Sequence, residues 1–311
     1  MNNKKANWLF LCMILCMFVV SFCLEILIYG MGINMSIAAT NFVNEMSMFI
    51  PAVIFILCTG DRFSDLIPLK KVKITTLLLV PVYLFLVMPL CYFANSITML
   101  FVENTVAAAS DQILAMSFPL MVGSIGIFAP IIEESCYRGV LFHSYKRSGR
   151  TIAAIVLSSL LFGIMHLNLN QAAYAFLLGV MFAILVEATG SIITSMLAHM
   201  LLNTSQVLLM YWEYNSESEI AEVAEGISQA ELKQTLIMAI GPLGCIAIIG
   251  ALIAVCLAYA MAKNEGRGEY FRSIIYKKPR IDENGKKETI VTVPLIIAVT
   301  ACVLYIIVLM I

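Results

Sequence analysis

Charge is scarce in this chain. Only 13% of its 311 residues are Asp, Glu, Lys or Arg, while 61% are hydrophobic. A soluble domain carries roughly twice that charged fraction, so a large soluble core is excluded and a polytopic membrane protein is indicated. The net charge of -1 is segregated along the chain rather than spread over one basic face, so it gives no sign of nucleic acid, and no nucleic-acid partner is expected. None of the nine cysteines forms a Cys-x-x-Cys pair, so no small disulfide framework is suggested. They lie in apolar runs and read as packing residues; Cys136 alone stands inside a polar motif. Histidine occurs three times. The apolar runs contain neither Gly-x-Ser-x-Gly nor His-Glu-x-x-His, the signatures of a serine nucleophile elbow and of a zincin helix. No internal repeat, low-complexity tract or soluble second domain is visible.

Long hydrophobic runs are what the chain has in abundance. An apolar helix needs about 20 residues to cross the hydrocarbon core. That ruler predicts an all-α, polytopic transmembrane bundle of eight to nine spans forming a single integral membrane domain over 1–311. The nine candidates are 7–29, 39–59, 74–95, 116–142, 151–168, 172–189, 191–212, 235–262 and 290–311. The first run is longer than a secretory h-region of roughly 7–15 residues and reads as a retained helix. Val308-Leu309-Met310-Ile311 carries no prenylation signal. Nine spans with the N-terminus inside place 17 of the 19 basic residues on one side, the exceptions being Lys233 and Arg138. Because Lys and Arg concentrate on the cytoplasmic side, a cytoplasmic N-terminus, an outside C-terminus and a cell-membrane location are expected. The loop 213–234 is acidic and expected outside, as a solvated amphipathic segment or a substrate-facing lid. The loop 263–289 is basic and carries the turn signal Asp282-Glu283-Asn284-Gly285; it reads as a contact for anionic headgroups or simply as an ordinary positive-inside loop.

Three neighbouring apolar segments carry the chemistry: Glu133-Glu134-x-x-x-Arg138, Phe162-x-x-x-His166 and His199-x-x-x-Asn203. Ionisable side chains within a span are expensive and by default mark a functional site with a partner nearby. Residues four apart share a helix face, so Glu134 and Arg138 are predicted to pair, while Glu133 points about 100° away. Pro130, without an N–H, disturbs the ladder one turn earlier. Such a break is either a simple kink or backbone that is buried in protein or lines a wet cavity. Gly163 permits close helix approach beside His166. Glu133 with His166 can deprotonate a water as general base, and His199 with Asn203 can donate to the oxyanion of a tetrahedral intermediate. His143 falls at the inner end of span four. All three motifs are expected some way inside the bilayer, with His166 the deepest unless span five starts later, and a cavity open to the cytoplasm is expected.

Other readings fit the same residues. Zinc held by Glu133, His166 and His199 would leave an open position for catalysis. A transporter or scaffold would use the cluster as a relay or binding site, joined by Glu25, Glu45 and Glu187. A cysteine hydrolase would use Cys136, although a thiol in apolar surroundings is inert.

The ordered blocks Glu133-Glu134-Ser135-Cys136-Tyr137-Arg138-Gly139, Phe162-Gly163-Ile164-Met165-His166 and His199-Met200-Leu201-Leu202-Asn203, with Thr189-Gly190-Ser191-Ile192 before the third, resemble those of the CPBP (Abi, CAAX-protease-like) intramembrane protease family, which includes the type II CAAX prenyl endopeptidases. The similar region runs over 115–212. The resemblance implies a glutamate-dependent endopeptidase in the membrane with no metal or other cofactor. Glu133 and His166 would activate water, His199 and Asn203 would stabilise the oxyanion, and Glu134 and Arg138 would support the site. Its partners would be membrane lipid and a membrane-associated peptide or CAAX-type, prenylated protein.

Overall fold

In lipid the backbone finds no water, so each N–H and C=O must be satisfied within the segment that carries it, and helices do this. The structure, a computed structural model, describes residues 1–216, 228–276 and 289–310. Its main helices among those residues are α1 (Asn3–Glu25, continued by a wider π turn over Ile26–Gly30), α2 (Ile37–Thr59), α3 (Ile74–Thr98), α4 (Phe118–Lys146), α5 (Thr151–Ile164), α6 (Leu169–Thr189), α7 (Ile193–Asn215), α8 (Gln229–Asn264) and α9 (Val293–Met310). Eight are long and apolar enough to cross a membrane, and the fold is an all-α polytopic bundle.

The exception is α5. Its 14 residues reach about 21 Å at ~1.5 Å per residue, short of a hydrocarbon core of ~30 Å. The span expected over 151–168 therefore stops early. Helix α5 ends at Ile164, and Leu167 turns the chain in the left-handed region with φ 56°. A leucine there is disfavoured by roughly 1–2 kcal/mol.

Contacts at the two ends of the bundle fix the direction of every helix. At one end Asp61 meets the Met1 nitrogen at 2.5 Å and Arg147 at 2.7 Å. The same end ties Thr76 to Glu265, Ser191 to the Lys70 carbonyl, Arg267 to the Glu187 carbonyl, and Asn7 to Ile290 before α9. At the other end Asn170 bonds Asn95 and Thr98, and Thr105 bonds Asn168. Successive helices α1 to α9 thus alternate in direction, short α5 included, and the basic loops gather at one end. Burial alone would raise the Asp61 carboxyl, but hydrogen bonds from the Met1 amino group and Arg147 outweigh it and hold the group well below the usual carboxylate range.

Two large buried apolar clusters fill the interior, beside a small third one of Met116, Met121 and Val207. One joins α1, α2, α4, α5 and α9 through residues such as Met48, Ile132, Tyr137 and Phe162. The other joins α3, α6, α7 and α8 through Tyr83, Phe182, Leu202 and Ala258. Helix α6 contributes to both. The polar motifs lie along the seam between them. Glu217, Glu219, Glu222 and Glu225 of the acidic loop, and the Asp282–Gly285 turn of the basic one, lie outside the described residues.

Candidate active site

The site begins with the way α4 is wound. Its ladder widens to a π register over Val122–Phe128, with the Ala129 N–H reaching the Ser124 carbonyl five residues back. The next residue, Pro130, has no N–H, so the Ile125 carbonyl loses the donor that this register would give it. Helix α7 supplies the replacement. Asn203 Nδ2 donates to Ile125 O at 3.2 Å, and Thr204 Oγ1 donates to Gly126 O at 3.4 Å. A side chain at Gly126 would meet Thr204 Oγ1 at 2.6 Å, so glycine is what lets the two helices approach. The break at Pro130 is thus buried in protein and satisfied by α7. A second π stretch, Ser135–Leu141, follows the acidic pair; such widened turns recur at functional sites.

Glu133 and Glu134 stand between these two stretches, both buried. The i,i+4 pair forms as the spacing predicts, with Arg138 Nη1 3.0 Å from Glu134 Oε1 and both side chains almost wholly inaccessible. The guanidinium also lies over the Phe162 ring, 4.0 Å from its centroid, and 5.5 Å from that of Phe182. A cation on an aromatic face in a desolvated site is held by roughly 2 kcal/mol.

His199 sits between the two carboxylates. Its Nδ1 is 3.1 Å from Glu134 Oε1 and its Nε2 is 3.5 Å from Glu133 Oε2. An ionised carboxylate only accepts, so Nδ1 carries a hydrogen toward Glu134; Nε2 can then donate only when the ring is an imidazolium. His166 is placed differently. Its Nδ1 lies 2.9 Å from the Phe162 carbonyl, which also only accepts, so Nδ1–H donates there. Nε2 of the neutral ring is left as an acceptor. The His166 and His199 rings both meet Phe162 edge-on, with centroids at 5.1 and 5.9 Å. Phe162 therefore gathers two imidazoles and a guanidinium around one ring. Gly163 beside it allows α6 to come close, since a Cβ there would lie 2.6 Å from the Ala172 carbonyl.

His166 lies in the turn beyond α5, at the end of the bundle opposite the basic loops. Asn168 holds this turn: its Nδ2 donates to the His166 carbonyl at 2.9 Å, and its Oδ1 caps α6 by accepting from Gln171 N at 2.8 Å. Sequence reasoning passed over Asn168, although an Asn just before an apolar run is an N-cap signal. It also passed over Phe182, whose ring lies 5.5 Å from that of His199; nothing marks Phe182 among the other apolar residues of α6.

The remaining candidates separate from this cluster. His143 bonds the Arg138 and Gly139 carbonyls. Glu187 lies at the basic end, where its carboxylate meets Lys146 and accepts from Tyr270 at 2.8 Å. Glu25 is exposed on α1. Cys136 is buried in the apolar core, and all nine cysteines are free thiols. Among the described residues no three His, Cys, Asp or Glu side chains come together as a metal-binding group, so the set Glu133, His166 and His199 does not close around a zinc ion. A cavity at the basic end is bordered by Lys70, Lys146, Glu187 and Arg267, and neither Glu133, His166 nor His199 lines it.

Every motif residue falls within 115–205, the stretch that matches the family described as type II CAAX prenyl endopeptidase Rce1-like. The stretch that bears the site is thus similar to that family. A curated protein of Bacillus subtilis (strain 168), named "Putative membrane peptidase YdiL", is 34% identical over 107 residues, which is 34% of this chain and 43% of that relative. The matched region thus covers less than half of the relative's length. No solved structure matches significantly. The two matches bear out the resemblance to the CAAX-protease-like family carried by the ordered motifs.

Proposed function

We propose that the chain is an intramembrane endopeptidase that hydrolyses a peptide bond in a membrane-associated peptide or a prenylated, CAAX-type protein, using water activated by Glu133 and His166. Glu133 takes the proton, and the free Nε2 acceptor of His166 orients the water. His199, as an imidazolium between two carboxylates, donates through Nε2 to the developing oxyanion. Asn203 keeps one N–H on Ile125 O and has a second amide hydrogen for the same oxyanion. One such donor is typically worth ~3–4 kcal/mol. Glu134 and Arg138 hold His199 in place. With the basic end cytoplasmic, the N-terminus is inside and the C-terminus outside.

The observation that carries this reading is the different surroundings of the two histidine rings, one set against a carbonyl and the other between two carboxylates. His166 Nδ1 is spent on a carbonyl, while His199 Nδ1 is spent on a carboxylate already locked to Arg138. Both Nδ1 atoms thus donate, and the rings differ in what their Nε2 atoms face: that of His166 is left as an acceptor for water, whereas that of His199 faces the Glu133 carboxylate, which favours a second proton on the ring and a donor for the oxyanion. The Rce1-like match and the relative's name support the reaction class. The test is cleavage of a quenched fluorescent farnesylated CAAX lipopeptide by purified protein, with Glu133→Ala and His166→Ala alongside and a chelator in parallel. Cleavage that both substitutions abolish and the chelator leaves untouched is expected. Chelator-sensitive cleavage restored by zinc would sink the metal-free mechanism.

A further inference from the structure

Peptide hydrolysis needs two proton transfers. A base takes a proton from water, and an acid returns one to the departing amine. The cluster above supplies the base and leaves the acid unassigned. A third carboxylate, Glu45 on α2, stands beside it. Helices α2 and α4 run in the same direction and pack together, with Phe42 stacked on Phe128 at 5.2 Å and Met48 and Ala52 sharing a core with Ile132 and Cys136. Glu45 lies about one turn on from Phe42, facing α4. Helix α2 packs directly on the Ala129–Glu134 segment of α4, which carries Glu133. Glu45 Oε2 is buried and has no hydrogen-bond partner.

These facts distinguish the three carboxylates. Glu134 is committed to Arg138 and His199. Glu133 has His199. Glu45 has no ion pair among the described residues. Two neighbouring carboxyl groups in a low-dielectric site do not both ionise; they share one proton. Of the two, the group without a cationic partner is the one that keeps it.

We propose that Glu45 is the general acid of this site, donating its proton to the leaving amide nitrogen. The proposal rests on the reading of Glu133 as the base. In the first step the water oxygen bonds to the carbonyl carbon, the water proton passes to Glu133, and the carbonyl π electrons move to the oxygen that His199 faces. In the second step the C=O bond re-forms and the C–N bond breaks. Its electron pair stays on nitrogen, which takes the Glu45 proton. Glu133 is then protonated and Glu45 ionised, and transfer of one proton between them restores the starting state.

The first test needs no substrate: infrared spectra of the purified full-length protein at neutral pH, read for the C=O stretch of an un-ionised buried carboxyl. The band is expected in the wild type and in Glu133→Gln, and lost in Glu45→Gln, whose amide keeps the shape of the acid. Its absence from the wild type, or its persistence in Glu45→Gln, overturns the proposal. The second test compares a farnesylated CAAX lipopeptide with its ester analogue, whose alkoxide leaving group depends less on protonation. Glu45→Gln is expected to lower kcat on the peptide by about 10²–10⁴-fold, with KM little changed and a clearly smaller loss on the ester. Equal losses on both substrates make Glu45 structural and overturn its role as acid. Peptide cleavage that survives Glu133→Gln instead sinks the base assignment, and the infrared band still decides Glu45.

Discussion

Two buried carboxylates illustrate the difference between a clasp and a site. Glu187, at the basic end, is 1% exposed and has a partner on each oxygen, Lys146 on one and Tyr270 on the other, while Arg267 takes its backbone carbonyl. It binds the ends of α4 and α6 to the segment after α8. In the interior cluster the tally does not close. Tyr137 Oη, Arg138 Nη2, Glu134 Oε2 and Glu45 Oε2 are buried without hydrogen bonds. Unmade hydrogen bonds of buried groups cost about 1–3 kcal/mol each, so a bundle shaped for stability alone would not collect them. Both clusters join distant parts of the chain; the basic end leaves Arg267 Nε without a hydrogen bond, and the interior one leaves several such atoms around its carboxylates.

The largest expected effect breaks that contrast from the interior side. Glu133→Gln should reduce peptide cleavage by about 10²–10⁴-fold with the melting temperature little changed, as single-turnover assays and thermal unfolding in detergent would reveal. Arg138→Ala should do the reverse in kind: leaving Glu134 buried without its cation costs roughly 3–5 kcal/mol, so unfolding shifts sharply and activity falls with it. An Arg138→Ala protein that melts like the wild type would mean the pair is not a structural element.

A smaller effect sharpens the α4–α7 contact. Asn203→Ala strands the Ile125 carbonyl and should cost about 1–3 kcal/mol. Pro130→Ala restores a backbone donor to the same region, so the Asn203 penalty should shrink when both are changed. A double-mutant cycle measures this, and strict additivity would contradict it. At the basic end Glu187→Gln should lower stability by about 1 kcal/mol and leave the catalytic rate per folded molecule unchanged; a large rate loss would erase the distinction between the two clusters. The smallest effect is acid lability. The Asp61 carboxyl is held below its ordinary value, so its contribution is fully present above about pH 4, the unfolded value, and is lost as pH falls toward the lower folded one. Asp61→Asn should therefore flatten the stability profile below about pH 4, which acid titration of the melting temperature would show.

Much of this arrangement was legible in the chain itself. Hydropathy located eight spans because each long helix is a continuous apolar run, and the Glu134–Arg138 contact followed from a four-residue spacing. The shortness of α5 was hidden. Its stop is a left-handed leucine at position 167, where neither Gly nor Pro marks a break; the polar residues around it, His166, Asn168, Asn170 and Gln171, were the one signal. Pro130 did announce a disturbance one turn upstream, but which side chains would repair it depended on how α7 packs. Glu45 was visible as one of several carboxylates in apolar runs. Only packing separates it from Glu25, which faces outward, and from Glu187, which is tied down at the other end. Hydrophobic periodicity is weak guidance here, because a helix surrounded by lipid and protein is apolar all round.

The Asn203 and Thr204 bonds to α4 also bear on how a substrate gets in. Prying α7 from α4 would leave the Ile125 and Gly126 carbonyls facing hydrocarbon, where each stranded group costs several kcal/mol. That seam is bolted, and on the proposed reading a membrane-associated peptide would reach Glu133 by some other flank of the bundle.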